Sequence, residues 1–541
     1  MVRKRILQIA TILLDVLALS ALFLPAFENY GATDSLWTQI TENFLTGSPS
    51  GILTDAIYYL PIIVSGILVA LLESKIRYAV TLFAASGGLA DVAGSLPAAL
   101  PKEGAECRVI MPLYGSIGLQ WRANMTFLTS FGVPLSWRVA HCGVFTMQYG
   151  GVQYYFLDNE QYFKREGGIY GYFDEAERFA FFSKAVLETL THIDYEPDVI
   201  HCNDWQTALI PVYLNVFYRE VPKLSRTHTV FTIHNIQYQG QFGLDVAGDV
   251  CGLPDWAIGK VEFHGDLNMM KGALEECERI STVSPTYAKE ILDPYFGHGL
   301  DEILRQKEWK LCGILNGIDT VGYNPSRDHA LAANFSARKP EGKALCKAAL
   351  QQQMHLPEEP DTPILAMVSR LVSHKGFDLV EYAMENMLRM GMQVVILGNG
   401  EYRYEEFFRE MQRRHPQQVA FTCGFMPTLS RQIYAGADFF LMPSQSEPCG
   451  LAQMIALRYG TIPIVRSTGG LADSIIDWDT PGGGCGFTFQ SYNADDMLGA
   501  VRRAMGLYHS EYRAEMLPRA LKCDFSWRRS AKQYMAMYLG I

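Results

Sequence analysis

The feature that most constrains this chain is a phrase repeated along it: a short apolar run, a polar tip, then an amphipathic stretch. In the second half it occurs at 363–369, 393–398, 419–424, 437–442 and 461–466. The tips there carry Arg370 and Lys375, Asn399 and Glu401, Phe425, Glu447, and Thr468 with Gly469 and Gly470. In the first half it occurs at 107–113, 199–209, 230–240 and 280–291, with tips at His201 and Asp204 and at His234 and Asn235. Strands alternating with helices in this way predict parallel sheets covered on both faces. Ligands bind outside the carboxyl ends of such strands, where the polar tips fall. Segment 326–362, rich in Ala, Lys, Glu and Pro, separates the two series. A chain of 541 residues therefore predicts two doubly wound, Rossmann-like domains, 77–330 and 331–523, followed by a terminal segment, 524–541.

A formal net charge of −11 and no basic stripe argue against nucleic acid as a partner. The 11 cysteines, an odd number without any CxxC pair, point to a reducing compartment with neither a disulfide framework nor a zinc site. The first 76 residues are different in kind. Runs 6–27 and 52–72 are each long enough to cross the ~30 Å hydrocarbon layer. Arg3, Lys4 and Arg5 precede the first run, Lys75 and Arg77 follow the second, and loop 28–51 has no Lys or Arg. The positive-inside rule makes this a hairpin of two membrane-spanning helices with both ends in the cytoplasm. It would tether the rest of the chain, on the cytoplasmic side, to the inner face of the plasma membrane. The length of the first run and the presence of a second argue against a cleaved signal peptide. A segment foreign to the rest of the chain is the other reading, and Asp15 near mid-span, costing ~2.5–3.5 kcal/mol, weighs against the tether.

The turn 442–450, MPSQSEPCG, holds Glu447 between an apolar run and an amphipathic stretch. Alone it reads as an acid favoured at a helix start. Arg370 and Lys375 stand five apart across another strand-to-helix turn, where a planar fork and a point charge can share one pair of phosphates. Alone they read as two solvated charges. Gly-rich turns at Gly87 and Gly88 and at Thr468, Gly469 and Gly470 can add backbone N–H groups.

The string at 86–100, SGGLADVAGSLPAAL, resembles the opening of bacterial glycogen synthases and plant starch synthases, and the resemblance runs in register to the C-terminus through VIHCNDWQTAL, VFTIHNIQYQG and ISTVSPTYAKEI. It implies a GT-B glycosyltransferase, two domains facing a cleft, with the last helix crossing back onto the first domain. It also implies transfer of glucose from ADP-glucose to the non-reducing end of an α-1,4-glucan with retention of configuration, without cofactor or metal. By that resemblance Arg370 and Lys375 hold the diphosphate, Glu447 touches the donor glucose, and Asp204 and His234 serve the sugar and acceptor side. Phe425 lies against the base. Gly87, Gly88, Tyr170, Asn235, Cys449, Gly450, Leu451, Thr468, Gly469 and Gly470 complete the substrate-binding set. One departure stands out: the family carries a loop and then a lysine one residue ahead of its glycine pair, as in KTGG, whereas this chain reads Ala84-Ala85-Ser86-Gly87-Gly88, with no lysine and without that loop. Two alternatives remain beside the synthase: a membrane-anchored glucan-binding protein with an impaired donor site, and a GT-B transferase using another sugar nucleotide.

Overall fold

In the computed structural model, which describes residues 88–541, the repeated apolar runs become strands. The C-terminal half contains β12 (Ile364–Val368), β13 (Gln393–Gly398), β14 (Val419–Cys423), β15 (Phe439–Met442), β16 (Ile462–Arg466) and β17 (Phe487–Phe489). They form one parallel sheet in the order β14-β13-β12-β15-β16-β17. All six residues of β13 are buried, as expected of a strand covered on both faces. Helix Phe377–Arg389 lays Phe377, Val380, Ala383, Met384 and Met387 onto this sheet, the three-and-four spacing of a helix with one apolar face. Chain order reverses between β12 and β15, so the sheet has its switch point there. The tips of those two strands carry Lys375 and Glu447.

The N-terminal half is less regular than a doubly wound parallel sheet. β5 (Val199–Asn203), β6 (His228–Ile233), β10 (Arg279–Thr282) and β11 (Leu311–Gly313) are parallel, in the order β11-β10-β6-β5. β1 (Arg108–Pro112), β2 (Thr126–Leu135), β3 (Arg138–Tyr149) and β4 (Val152–Asp158) form a second, mixed sheet in which only β1 and β4 run parallel. A small antiparallel sheet joins β7 (Gln241–Gly243), β8 (Glu262–Phe263) and β9 (Asp266–Asn268). The turn between β3 and β4 is Gly150 and Gly151, with φ of 57° and 81°. Positive φ at both central residues matches the twist of a two-residue hairpin.

The last helix, Trp527–Leu539, lies on the N-terminal half. Trp527, Ala531 and Tyr534 pack with Val92, Leu96 and Ile314. Tyr538 Oη lies 2.7 Å from His201 Nδ1, and the Ser530 hydroxyl donates to the Leu315 carbonyl at 2.5 Å.

The expectation of two membrane-spanning helices in front of this fold is corrected. Among the described residues no helix is long and apolar enough to cross a membrane. The longest, Glu175–His192, has 18 residues but carries Glu175, Glu177, Arg178, Lys184 and Glu188, charges that a hydrocarbon layer does not accept without cost. Runs 6–27 and 52–72 lie outside the described residues. Among the described residues the architecture is a pair of α/β halves, and membrane association has no support in it.

Candidate active site

Three strand tips of the C-terminal half converge. After β12 the chain turns through Ser373, His374 and Lys375 into Gly376, at φ 79°. A Cβ on Gly376 would stand 2.0 Å from the Pro443 carbonyl oxygen, so only glycine lets the tips of β12 and β15 approach this closely. The contact is sealed where Gln445 N–H donates to the His374 carbonyl at 2.9 Å. It brings Lys375 Nζ to 2.6 Å from Glu447 Oε2, while Ser444 Oγ donates to the same oxygen at 3.1 Å. Glu447 is buried at 7% exposure, so this ion pair is shielded from solvent and its direction is fixed. Burial, then the Lys375 charge, lowers the His374 pKa. Arg370 is exposed at the β12 tip. Phe425, 85% exposed, follows the β14 tip.

The third tip follows β16. A Cβ on Gly469 would lie 2.1 Å from the Glu447 carbonyl oxygen, and Gly470 N–H donates to that oxygen at 3.1 Å. Gly469 N–H and Thr468 Oγ1 donate to Glu290 Oε1. Both N–H groups expected to meet a diphosphate are thus engaged within the protein. Cys449 is buried, its thiol pushed up to about 12 by that burial, and Gly450 turns at φ 70° before Leu451 opens the next helix.

In the N-terminal half, the β5 tip holds Asp204 at φ 57° and ψ 179°, a conformation unusual outside glycine. Asp204 Oδ1 accepts from the backbone N–H groups of His234 at 2.7 Å and Asn235 at 3.4 Å, tying the β5 and β6 tips together. Although its side chain is only partly covered at the surface, burial among protein atoms pushes the carboxyl up to about 7 against the pull of those two bonds. His234 Nε2 lies 2.9 Å from Asn203 Oδ1. Burial, then His201, lowers the His234 pKa to about 3, so its ring is neutral. The Asn235 carboxamide turns back to accept from Gln237 N–H at 3.0 Å. Tyr170 is partly exposed, and burial followed by the Asp204 charge raises its pKa to about 12.

Two family profiles match this chain: the starch synthase catalytic domain over residues 78–306 and glycosyl transferases group 1 over residues 351–522. Glycogen synthase of Geobacillus thermodenitrificans is 48% identical over 460 residues, covering 84% of this chain and 95% of the relative. That of Desulforamulus reducens is 46% identical over 460 residues, covering 84% and 96%. The chain belongs to the glycogen and starch synthase family. It is a GT-B glycosyltransferase of glycogen and starch synthesis. The catalytic domain of Arabidopsis thaliana starch synthase IV, solved with ADP and acarbose, is similar at a TM-score of 0.77 and 33% identity, covering 84% of this chain and 96% of that one. Sucrose-phosphate synthase of Thermosynechococcus elongatus, at 16% identity and a TM-score of 0.52, shares the fold alone.

Of the residues expected from the sequence to line this synthase's site, Lys375 and Glu447 meet directly, and Asp204, His234 and Asn235 form a separate bonded cluster. Gly88 opens helix Gly88–Ala99, while Gly87 and Ala85 lie outside the described residues. Ser444 and His374, which flank the ion pair, were within legible turns but gave no signal of their own. Glu290 was invisible, because its partners lie 178 and 179 positions away.

Proposed function

We propose that the chain transfers glucose from ADP-glucose to the non-reducing end of an α-1,4-glucan with retention of configuration. The observation that carries this reading is the buried Lys375–Glu447 ion pair at the switch point of the C-terminal sheet. As the glucosyl bond breaks, negative charge grows on the leaving diphosphate. Arg370 and Lys375 meet that charge as a fork and a point charge on one tip. The ion pair with Glu447 holds the ammonium in place beforehand, so little reorganisation is needed when charge develops. The Glu447 carboxylate, fixed by Lys375 and Ser444, accepts from hydroxyls of the donor glucose as its ring moves towards an oxocarbenium-like state. His234, neutral at pH 7, and Asp204 serve the sugar and acceptor side from the opposite half. The exposed Phe425 ring offers an apolar face to the base. ADP and acarbose in the starch synthase IV structure support an adenine nucleotide and an oligosaccharide acceptor here. Eleven free thiols favour the cytoplasm as the compartment.

Lys375→Ala tests the assignment. With ADP-glucose and glycogen, ADP release by the variant should fall about 100-fold or more, the loss typical of removing a preorganised charge from a transition state. Turnover at the wild-type rate would sink the phosphate role. Offering UDP-glucose in competition decides the donor base: faster transfer from UDP-glucose overturns the ADP-glucose reading while leaving the synthase chemistry in place.

A further inference from the structure

Glu290 ends a six-residue helix, Pro285–Glu290, that belongs to the N-terminal half yet grips two turns of the C-terminal half. Its Oε1 accepts from Thr468 Oγ1 at 2.8 Å and from Gly469 N–H at 2.9 Å. Alongside, Thr286 donates twice to Asp473, from its N–H at 2.7 Å and from its hydroxyl at 2.8 Å. Ser284, which caps the same helix, donates from Oγ to the Pro448 carbonyl at 2.7 Å. Asp473 and Gly469 sit on helix Gly469–Ser474, and Pro448 directly follows Glu447. These two gripped turns are themselves in backbone contact, through Gly470 N–H and the Glu447 carbonyl at 3.1 Å.

The backbone of the Glu447 turn is therefore joined, through Pro448 and Gly470, to a helix from the opposite half. A residue serving only as a spacer there would be apolar. Instead the position holds a carboxylate whose second oxygen, Oε2, is buried with no hydrogen-bond partner, an arrangement that costs stability. What the side chain supplies is one oxygen that accepts two hydrogen bonds from the C-terminal half, a directional contact that an apolar residue cannot make. We propose that Glu290 is a positioning residue for glucosyl transfer: it holds helix Gly469–Ser474, and through it the Glu447 turn, in the arrangement needed for transfer when the two halves are docked. This rests on the reading of Glu447 as the acid at the donor sugar. Glu290 sets Glu447 through Gly469 and Gly470, so docking of the halves and alignment of the sugar acid are one event.

The test uses the full chain with Glu290→Ala, Glu290→Gln, Thr468→Val, the pair Glu290→Ala with Thr468→Val, and Glu447→Ala as reference. Glu290→Ala should lower kcat about 10- to 100-fold, the scale of a small misplacement of a reacting group, with both KM values within about threefold of wild type. Glu290→Gln, whose amide oxygen accepts the same two bonds, should keep kcat within about threefold of wild type. Thr468→Val should slow turnover, and the double variant should be no slower than Glu290→Ala, since both changes remove one interaction. Wild-type kcat in Glu290→Ala, equal damage in Glu290→Gln and Glu290→Ala, or additive losses in the double variant would each overturn the proposal. Thr468→Val approaches the same contact from a surface that leaves the N-terminal half unaltered, so a folding defect in the Glu290 variants does not remove the test. If Glu447→Ala is fully active, the reading of Glu447 fails. If it is inactive while Glu290→Ala is not, the positioning role alone fails.

Discussion

Asp204 shows how far position rather than residue type sets chemistry. Its backbone conformation costs about 1–3 kcal/mol outside glycine, a strain tolerated where surrounding bonds over-determine it. Here the His234 and Asn235 N–H groups do so. Its carboxyl, raised to about 7 by burial, keeps its proton in the fold at pH values where the unfolded chain has released it. The stability this residue contributes is therefore present below pH 3.8 and lost as pH rises towards 7. His234 works the other way: lowered to about 3, it contributes stability above pH 6.5 that is lost as pH falls towards 3. The opposing windows make a variant comparison the clean measurement. Asp204→Asn should gain stability relative to wild type as pH rises from about 4 to about 7, read by urea unfolding at both ends. A difference independent of pH would show that no buried carboxyl titrates there. At this scale the sequence placed Asp204 and His234 at strand tips, where they stand. It could not say that Asp204 binds backbone N–H groups of the next tip or that His234 is held neutral.

Among elements, the pair β12 and β15 matters most, because the switch point puts their two tips side by side. Gly376 makes the approach possible, with a Pro443 oxygen standing where a Cβ would go. Gly376→Ala should cost about 1–3 kcal/mol through overpacking, in addition to the strain of a positive φ. It should also slow transfer by parting Lys375 from Glu447. Denaturant unfolding and ADP release measure the two effects separately, and an unchanged midpoint would show that the tips have room to part. Five of the six strands of the C-terminal half were legible, because β12, β13, β15 and β16 are mostly buried and read as apolar runs; the three residues of β17 were too few to register. β2, β3 and β4 were not legible either. β2 is exposed along much of its length, its burial pattern alternates only near Val133 and Leu135, and the one local signal was the glycine pair at Gly150 and Gly151.

The described molecule is held together at its ends as well as across its middle. Helix Trp527–Leu539 covers Val92, Leu96 and Ile314, and its Tyr538 reaches His201 on β5, the strand whose tip carries Asp204. Removing residues 527–541 should expose that apolar surface. The truncated chain should bind a hydrophobic dye and lose solubility, while an equally soluble and active product would show the helix to be dispensable. The repeated phrase of apolar run, polar tip and amphipathic stretch determined the class of fold, and the quoted strings determined the family. Both signals are local: burial on two faces leaves a run in the sequence, and a motif sits within a dozen residues. Tertiary structure alone decided that Lys375 pairs with Glu447 across 72 positions, that the glycine turn gives its N–H groups to the protein, and that Glu290 reaches it from the other half. Such contacts depend on how tips from distant strands converge, and no spacing along the chain records that distance.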